Sequence, residues 1–255
     1  MTKPYVNINR DYWNEQAPHW VELGERLWSL AVPQWGNWNL SETDLKLLPA
    51  QMSGMDAIEL GCGTGYISGW MARRGAKVTA IDVSAEQLAT ARRLANDYEA
   101  DISFIEGNAE TLPLPDATFD FAISEYGAAI WCDPDIWLRE AWRVLRPGGR
   151  LVFLGNHPLT LVCSNWDGAP ADFTLHRPYK AMSGADWTEV EFEPAGIEFN
   201  RTFADWISLF NEIGFSVLNY KELYAPEDAE GIRGAVPAEW SKAYPCEQVW
   251  FVGKR

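Results

Sequence analysis

The stretch AIELGCGTGYI, from Ala57 to Ile67, constrains the fold of this chain more than any other. Ala57, Ile58 and Leu60 read as a buried strand. Gly61, Gly63 and Gly65 follow in alternation, and a helix begins behind them. Glycine has no Cβ, so the backbone can turn sharply there and approach a ligand closely. The following helix presents its unpaired N–H groups toward that turn. A strand, a tight glycine turn and a helix make the first unit of a parallel α/β sheet that binds a nucleotide-type cofactor. Glu59 stands two positions before the first glycine and gives the turn an unusual charge.

The same rhythm continues through about 100 residues. DAIEL (56–60), KVTAID (77–82), ISFIEG (102–107), FDFAIS (119–124) and RLVFLG (150–155) read as strands. Helices are expected between them. One covers about 65–74. A second starts at Ser84, with Gln87 three residues on in a capping-box pattern. A later one starts at Asp133, with Pro134 at its first position. Strands separated by helices of this length pair in parallel with right-handed crossovers. Residues 156–200 break the pattern and read as an insertion. Thr202 then caps a helix that Gly214 stops. FSVLNYKEL and EQVWFVGKR follow as two strands with no obvious helix between them, an antiparallel hairpin at the sheet edge. Residues 1–50 carry Trp13, Ala17, Trp20, Val21 and Leu27 at roughly helical spacing, then the loop VPQWGNWNL. Ser41 is expected to cap a short helix that runs to Leu48 and ends at Pro49. The expectation is a three-layer Rossmann-like α/β sandwich. Its sheet is seven-stranded and mostly parallel with an antiparallel last strand. A helical cap (1–50) precedes the main domain (51–255), which carries the insertion.

Composition narrows the partners. A net charge of −15 repels phosphate backbones and anionic lipid, so neither nucleic acid nor a membrane is expected as a partner. No apolar run reaches the ~20 residues of a membrane span, and MTKPYVNINRDYW has no apolar signal region. Cys62, Cys132, Cys163 and Cys246 are widely spaced, which fits a reducing, cytoplasmic setting without disulfides. His19, His157 and His176 are too scattered to suggest a metal site. A monomer or homodimer is expected.

The glycine loop leaves two cofactors in competition. The dinucleotide fingerprint is G-x-G-x-x-G/A. Here Tyr66 occupies its third small position, and the spacing is G-x-G-x-G. A carboxylate at Glu59 would repel a pyrophosphate but suit a cofactor with an ammonium and a sulfonium. Asp82, closing the second strand, could accept from a ribose diol in either case. Four segments together are more specific: ELGCGTG (59–65), AIDVSAEQL (80–88), GNAETLPLPDATFD (107–120) and LREAWRVLRPGGRLVF (138–153). In order and spacing they resemble the class I S-adenosylmethionine-dependent methyltransferases of the ubiquinone-biosynthesis type.

The resemblance implies a set of roles. Glu59, Gly61 and Gly63 would lie against the methionine part of S-adenosylmethionine. Asp82 would hold the ribose, with Val83 on the adenine and Gln87 close by. Asn108 would meet the adenine amine and Ala109 a ring nitrogen, with Glu110 next to them. The family more often has Asp where Asn108 stands. Glu125, Tyr126 and Gly127 would border the sulfonium. The implied reaction moves a methyl group to a small-molecule acceptor and leaves S-adenosylhomocysteine. Such a displacement needs alignment and exclusion of water, and a base only when the nucleophile is protonated. His157, Tyr126 and Glu125 are the catalytic candidates. The 14 tryptophans suggest an aromatic acceptor pocket. Trp20, Trp35, Trp38 and Trp131 are its candidate walls, with Trp166 and Trp187 from the insertion, and the acceptor is then expected to be apolar or aromatic. Two alternatives stand beside this reading: a dinucleotide-dependent oxidoreductase, and a module that binds S-adenosylmethionine without turnover.

Overall fold

A computed structural model describes residues 3–180, 182–189 and 196–255. Met1 and Thr2 of the expected cap, and residues 181 and 190–195 of the expected insertion, lie outside the described residues. The chain opens with α1 (Pro4–Gln16), a 3-10 turn (Ala17–Trp20) and α2 (Val21–Ser29). A small hairpin pairs Gln34–Trp35 with Leu40–Ser41 and leads into α3 (Glu42–Leu45). The alternating part follows. It comprises β1 (Asp56–Leu60), α4 (Tyr66–Arg73), β2 (Lys77–Asp82), α5 (Ala85–Asp97), β3 (Ile102–Glu106) and β4 (Phe119–Glu125). Next come α6 (Ala128–Trp131), α7 (Pro134–Val144), β5 (Leu145–Asn156) and α8 (Pro158–Cys163). The C-terminal part holds α9 (Phe203–Ile213), β6 (Phe215–Leu223), α10 (Ala238–Ala243) and β7 (Glu247–Lys254).

The seven strands form one sheet in the order β3-β2-β1-β4-β5-β7-β6. β1 to β5 are mutually parallel, and β7 runs antiparallel to both β5 and β6. The expected seven-stranded sheet with an antiparallel last strand is therefore the one observed. Strand order reverses between β1 and β4. At that point the β1 and β4 crossovers leave on opposite faces and open a crevice at the carboxyl edge.

Side chains alternate across the sheet as the period-2 pattern requires. Ile58, Ala122 and Phe153 face a core completed by Trp137, Trp206 and Phe210. Ala57, Phe121, Ile123 and Val152 face a second core with Ile67, Trp70, Met71 and Leu27. In this second layer α2 packs closely on α4, because the ring of Trp28 occupies the space that a Cβ on Gly69 would fill, 2.4 Å away.

Two local expectations are corrected. The helix capped by Ser41 stops at Leu45, not Leu48, and Pro49 does not end it. Lys46 takes φ 54°, and the Glu42 carboxylate accepts from Leu47 N (2.9 Å) and Leu48 N (3.1 Å). Those bonds replace the helical acceptors, so the chain can leave the helix without an orphaned donor. The connection between β6 and β7 is also more than a hairpin turn. It carries α10 and a short pairing of Ile232–Arg233 with Val236–Pro237.

Candidate active site

The parallel register brings the strand ends into one plane. Glu59 lies opposite Ala80 and Ile123, Asp82 opposite Glu106, and Glu125 opposite Leu154. A cavity of about 560 Å³ opens along this edge and is covered by α1, α2 and the Gln34–Ser41 hairpin.

The glycine loop floors the cavity. Gly61, Gly63 and Gly65 have φ values of +75°, +51° and +75°. A Cβ on Gly61 would also sit 2.6 Å from Ala128 N. Four of the loop's own donors are spent internally. Gly61 N and Cys62 N donate to Ile81 O, Gly63 N to Asp82 Oδ2 at 2.7 Å, and Gly65 N to Cys62 O. In the first turn of α4, Ser68 N donates to Glu59 Oε2 at 2.8 Å, and Ser68 Oγ does so at 2.5 Å. A pyrophosphate-binding turn needs those N–H groups free. Here they are occupied, and buried acids stand in the floor instead. Burial pushes the Glu59 carboxyl up to about 8, against the two Ser68 bonds that favour its ionised form. Among the described residues no cation lies within ion-pair distance of Glu59. A ligand ammonium fits that vacancy of charge, whereas a phosphate does not.

The remaining expected cofactor residues divide. Asp82, Val83, Gln87, Asn108 and Ala109 all line the cavity. Asp82 also accepts from Ser84 N at 2.9 Å, which fixes its carboxylate at the start of α5. Ser84 caps α5 as expected, accepting from Gln87 N, but the reciprocal arm of the capping box is missing. Gln87 Oε1 is buried with no hydrogen-bond partner. Asn108 Oδ1 accepts from Glu110 N at 2.9 Å in a local turn and from the Cys132 thiol at 3.9 Å, so its side-chain amide N–H donors are what it keeps for a ligand. Glu110 is a correction. Its carboxylate accepts from Tyr5 OH and Asp133 N (both 2.7 Å), which turns it toward α1 and α7 and off the cavity wall.

Glu125 and Tyr126 do line the cavity, and they clasp the covering hairpin. Glu125 accepts from Gly36 N and from Tyr66 OH, both at 2.7 Å. Burial raises its carboxyl to about 7. Tyr126, at φ 52°, donates to Glu247 Oε1 at 2.5 Å and accepts from Asn37 Nδ2 at 3.1 Å. Glu247 also accepts from Asn37 N at 2.9 Å. Tyr66, Asn37 and Glu247 were not among the sequence candidates. The sequence held a signal for Glu247. Because β7 is antiparallel, its first residue falls at the carboxyl edge of the parallel strands, opposite Asn156.

His157 is a second correction. It follows β5 at the correct edge, but its ring is turned away from the cavity. Nδ1 accepts from Leu159 N at 3.1 Å and so caps α8, and Nε2 stands 3.5 Å from Glu222 Oε1. The residue is 1% exposed, and burial lowers its pKa to about 4. Of the tryptophans, Trp20 and Trp131 line the cavity as expected. Trp35 and Trp38 do not. Trp35 donates to Glu42 at 2.9 Å and packs on Trp70 in the core. Trp38 is buried with Cys163, Val236 and Trp240. In the insertion, Trp166 is exposed and Trp187 is buried, both off the wall. Trp13, one α1 turn from Asn9, is the wall residue that was missed. It packs edge-on against Trp131 at 5.4 Å.

Fold and site together define a sheet for an adenosyl-type, phosphate-free cofactor. Comparison with known proteins agrees. The family model described as "Methyltransferase domain" matches residues 58–153. The chain is 43% identical over 110 residues to a malonyl-[acyl-carrier protein] O-methyltransferase of Pectobacterium atrosepticum, covering 43% of this chain and 41% of that protein. It is 35% identical over 144 residues to a demethylmenaquinone methyltransferase of Thermus thermophilus, covering 56% and 63%. The matches thus span less than two thirds of either relative. In fold, the chain resembles the crystal structure of an S-adenosylmethionine-dependent methyltransferase from Mesorhizobium loti, with a TM-score of 0.66 and 22% identity over 82% of this chain and 95% of that one. Residues 58–153 thus match a methyltransferase domain, and the fold is that of the S-adenosylmethionine-dependent methyltransferases. Among the described residues no helix is long and apolar enough to cross a membrane.

Proposed function

We propose that this chain transfers a methyl group from S-adenosylmethionine to a small acceptor with an apolar or aromatic body. The observation that carries this reading is the state of the glycine loop. The N–H groups of Gly61, Cys62, Gly63 and Gly65 are satisfied internally while Glu59, Asp82 and Glu125 line the cavity beside them. That arrangement favours a cofactor with cationic groups and no phosphate. On this reading Glu59 and the glycine turn hold the methionine part. Asp82 holds the ribose, Val83 and Ala109 flank the adenine, and Tyr126 borders the sulfonium. S-adenosylmethionine supplies the activated methyl group. The protein aligns the acceptor and excludes water.

Trp13, Trp20, Trp131 and Ile130 give the same cavity an apolar side. The described part of residues 1–50 acts as a cap over the cofactor, and Asn156 and Glu198, from the segment 156–200, add to the acceptor end of the domain that begins at residue 51. The two relatives named above act, by their names, on an acyl-carrier-linked acid and on a quinone precursor. Both are compatible with a small-molecule acceptor, and neither name is carried over to this chain.

Thermal-shift titration tests the cofactor. S-adenosylhomocysteine should raise the melting temperature, and NAD(H) and NADP(H) should leave it unchanged. The opposite pattern would restore the dinucleotide reading. Binding without S-adenosylhomocysteine formation across a broad acceptor panel would favour the non-catalytic module.

A further inference from the structure

The geometry points to Glu198, held by Asn156, as the group that receives the acceptor's proton, and so to an acceptor whose nucleophile is a protic X–H, a hydroxyl or an amine. This rests on the methyl-transfer reading above. Neither residue belongs to the cofactor loop. Glu198 comes from the short pairing of Ala185–Asp186 with Ile197–Glu198, and Asn156 is the last residue of β5. Both line the cavity with Ile130 and Trp131. Asn156 lies two residues beyond Leu154, which is in register with Glu125 at the end of β4. The pair therefore stands at the edge of the sheet next to the residues assigned to the methyl group.

Glu198 is 4% exposed, and its known donors are neutral. Asn156 Nδ2 donates to Oε1 at 2.9 Å, and Trp187 Nε1 donates to Oε2 at 3.1 Å. Among the described residues no cation lies within ion-pair distance. Arg177 is the nearby positive charge, and its guanidinium is held between the faces of Trp166 (3.9 Å) and Trp187 (4.2 Å). Two bonds leave lone pairs on both carboxylate oxygens for a further donor. Burial raises the carboxyl above its ordinary value, which strengthens it as a proton acceptor.

The rest of the wall excludes the opposite chemistry. Among the described residues its buried carboxyl groups are Glu59, Asp82, Glu125 and Glu198, and its other buried titratable side chains are the tyrosines Tyr66 and Tyr126 and the cysteines Cys62 and Cys132. Its two arginines, Arg26 and Arg233, are exposed. An acceptor carboxylate would enter this end desolvated and facing acids, while the nearby Arg177 guanidinium is held between two indoles off the cavity wall. A neutral hydroxyl or an amine meets a ready hydrogen-bond acceptor. In the transfer, Glu198 takes the proton from X–H as the X lone pair forms the bond to the methyl carbon. The methyl–sulfur bond breaks, and its electron pair stays on sulfur. A carboxylate and a sulfonium become a carboxylic acid and a neutral thioether, so charge balances.

The test uses the full chain and three matched naphthalene probes: a naphthol, a naphthylmethylamine and a naphthoate. Binding to the protein saturated with S-adenosylhomocysteine is measured by calorimetry, and turnover by S-adenosylhomocysteine release. The naphthol or the amine should bind and turn over, and which of them does so distinguishes oxygen from nitrogen. The naphthoate should do neither. Glu198→Gln should lower kcat by about 10²-fold or more while S-adenosylhomocysteine affinity stays within about twofold, which also shows that the variant is folded. A naphthoate that binds as well as the protic probes, protic probes that do not bind at all, or a Glu198→Gln variant with unchanged kcat would each overturn the assignment. Failure of the wild type to bind S-adenosylhomocysteine would instead overturn the methyl-transfer reading.

Discussion

Cofactor binding should release a proton, and Glu59 should be its source. Burial holds the Glu59 carboxyl at about 8 in the ligand-free cavity. At pH 7 such a group is about 90% protonated. A ligand ammonium beside it favours the carboxylate, so the proton must leave on binding. The cost of ionising Glu59 is about 1.4 kcal/mol at pH 7 and about 2.7 kcal/mol at pH 6, at 1.36 kcal/mol per unit. The affinity for S-adenosylhomocysteine should therefore rise nearly tenfold per pH unit between about pH 5.5 and 6.5, well below the range in which an α-amino group titrates. The sign in the free protein is opposite. Glu59 has a raised pKa in the fold, so its stability contribution is complete below about 4.5 and is lost as pH rises through about 8. Calorimetry in two buffers of different ionisation enthalpy should count about 0.9 proton released at pH 7. Glu59→Gln retains an oxygen for the Ser68 donors and should abolish most of this release while weakening binding. A dissociation constant that is flat across this range in the wild type, with no proton released, would refute the pairing of Glu59 with a cationic ligand group.

Four further substitutions have outcomes set by packing. Glu42→Ala removes the partner of Trp35, Leu47 N, Leu48 N and Arg74 at once. It should cost about 3–5 kcal/mol, a melting shift of roughly 6–20 °C for a domain of this size, and a shift under about 2 °C by calorimetry would contradict that. His157→Ala should lose about 1–2 kcal/mol through its cap and leave kcat within about twofold, whereas a hundredfold loss with unchanged melting would return His157 to catalysis. Trp13→Ala should weaken ligand affinity by about 1 kcal/mol or more. Trp35→Ala should instead lower the melting temperature and leave affinity per folded molecule intact, and the reverse outcome would exchange their roles.

The sheet was legible because its signals are local. β1, β2 and β6 begin and end where hydrophobic alternation and flanking turns place them. Asp133, Thr202 and Ser84 cap the helices that their side chains announce. The helix after Ser41 was not legible to its end, because its stop is set by a side chain. Glu42 captures the next N–H groups, and no local pattern reports that a glutamate will turn back upon its own chain. Tryptophan misled for a related reason. A tryptophan in a loop next to a site has two destinations, wall or core, and only its partner decides between them. Trp35 has Glu42 and Trp70, while Trp13 has Trp131 and the cavity.

The acids obey a simpler rule, which reaches beyond the parallel strands. Glu59, Asp82 and Glu125 end or nearly end parallel strands, so their placement at the carboxyl edge followed from sequence. Glu247 begins an antiparallel strand and reaches the same edge. Glu198 arrives there from a short hairpin in the insertion. Each is buried, and burial raises each carboxyl. A fold keeps several raised acids together only where neutral donors or a ligand cation offset their desolvation. Glu247 is satisfied by Tyr126 and Asn37 and serves to hold the hairpin. Glu125 is also on the cavity wall, but its oxygens accept from Gly36 N and Tyr66 OH and clasp the covering hairpin, whereas Glu59 and Glu198 stand on the wall without that duty. On this balance Glu59 is the acid that a cationic cofactor would satisfy, and Glu198 the one left for the acceptor.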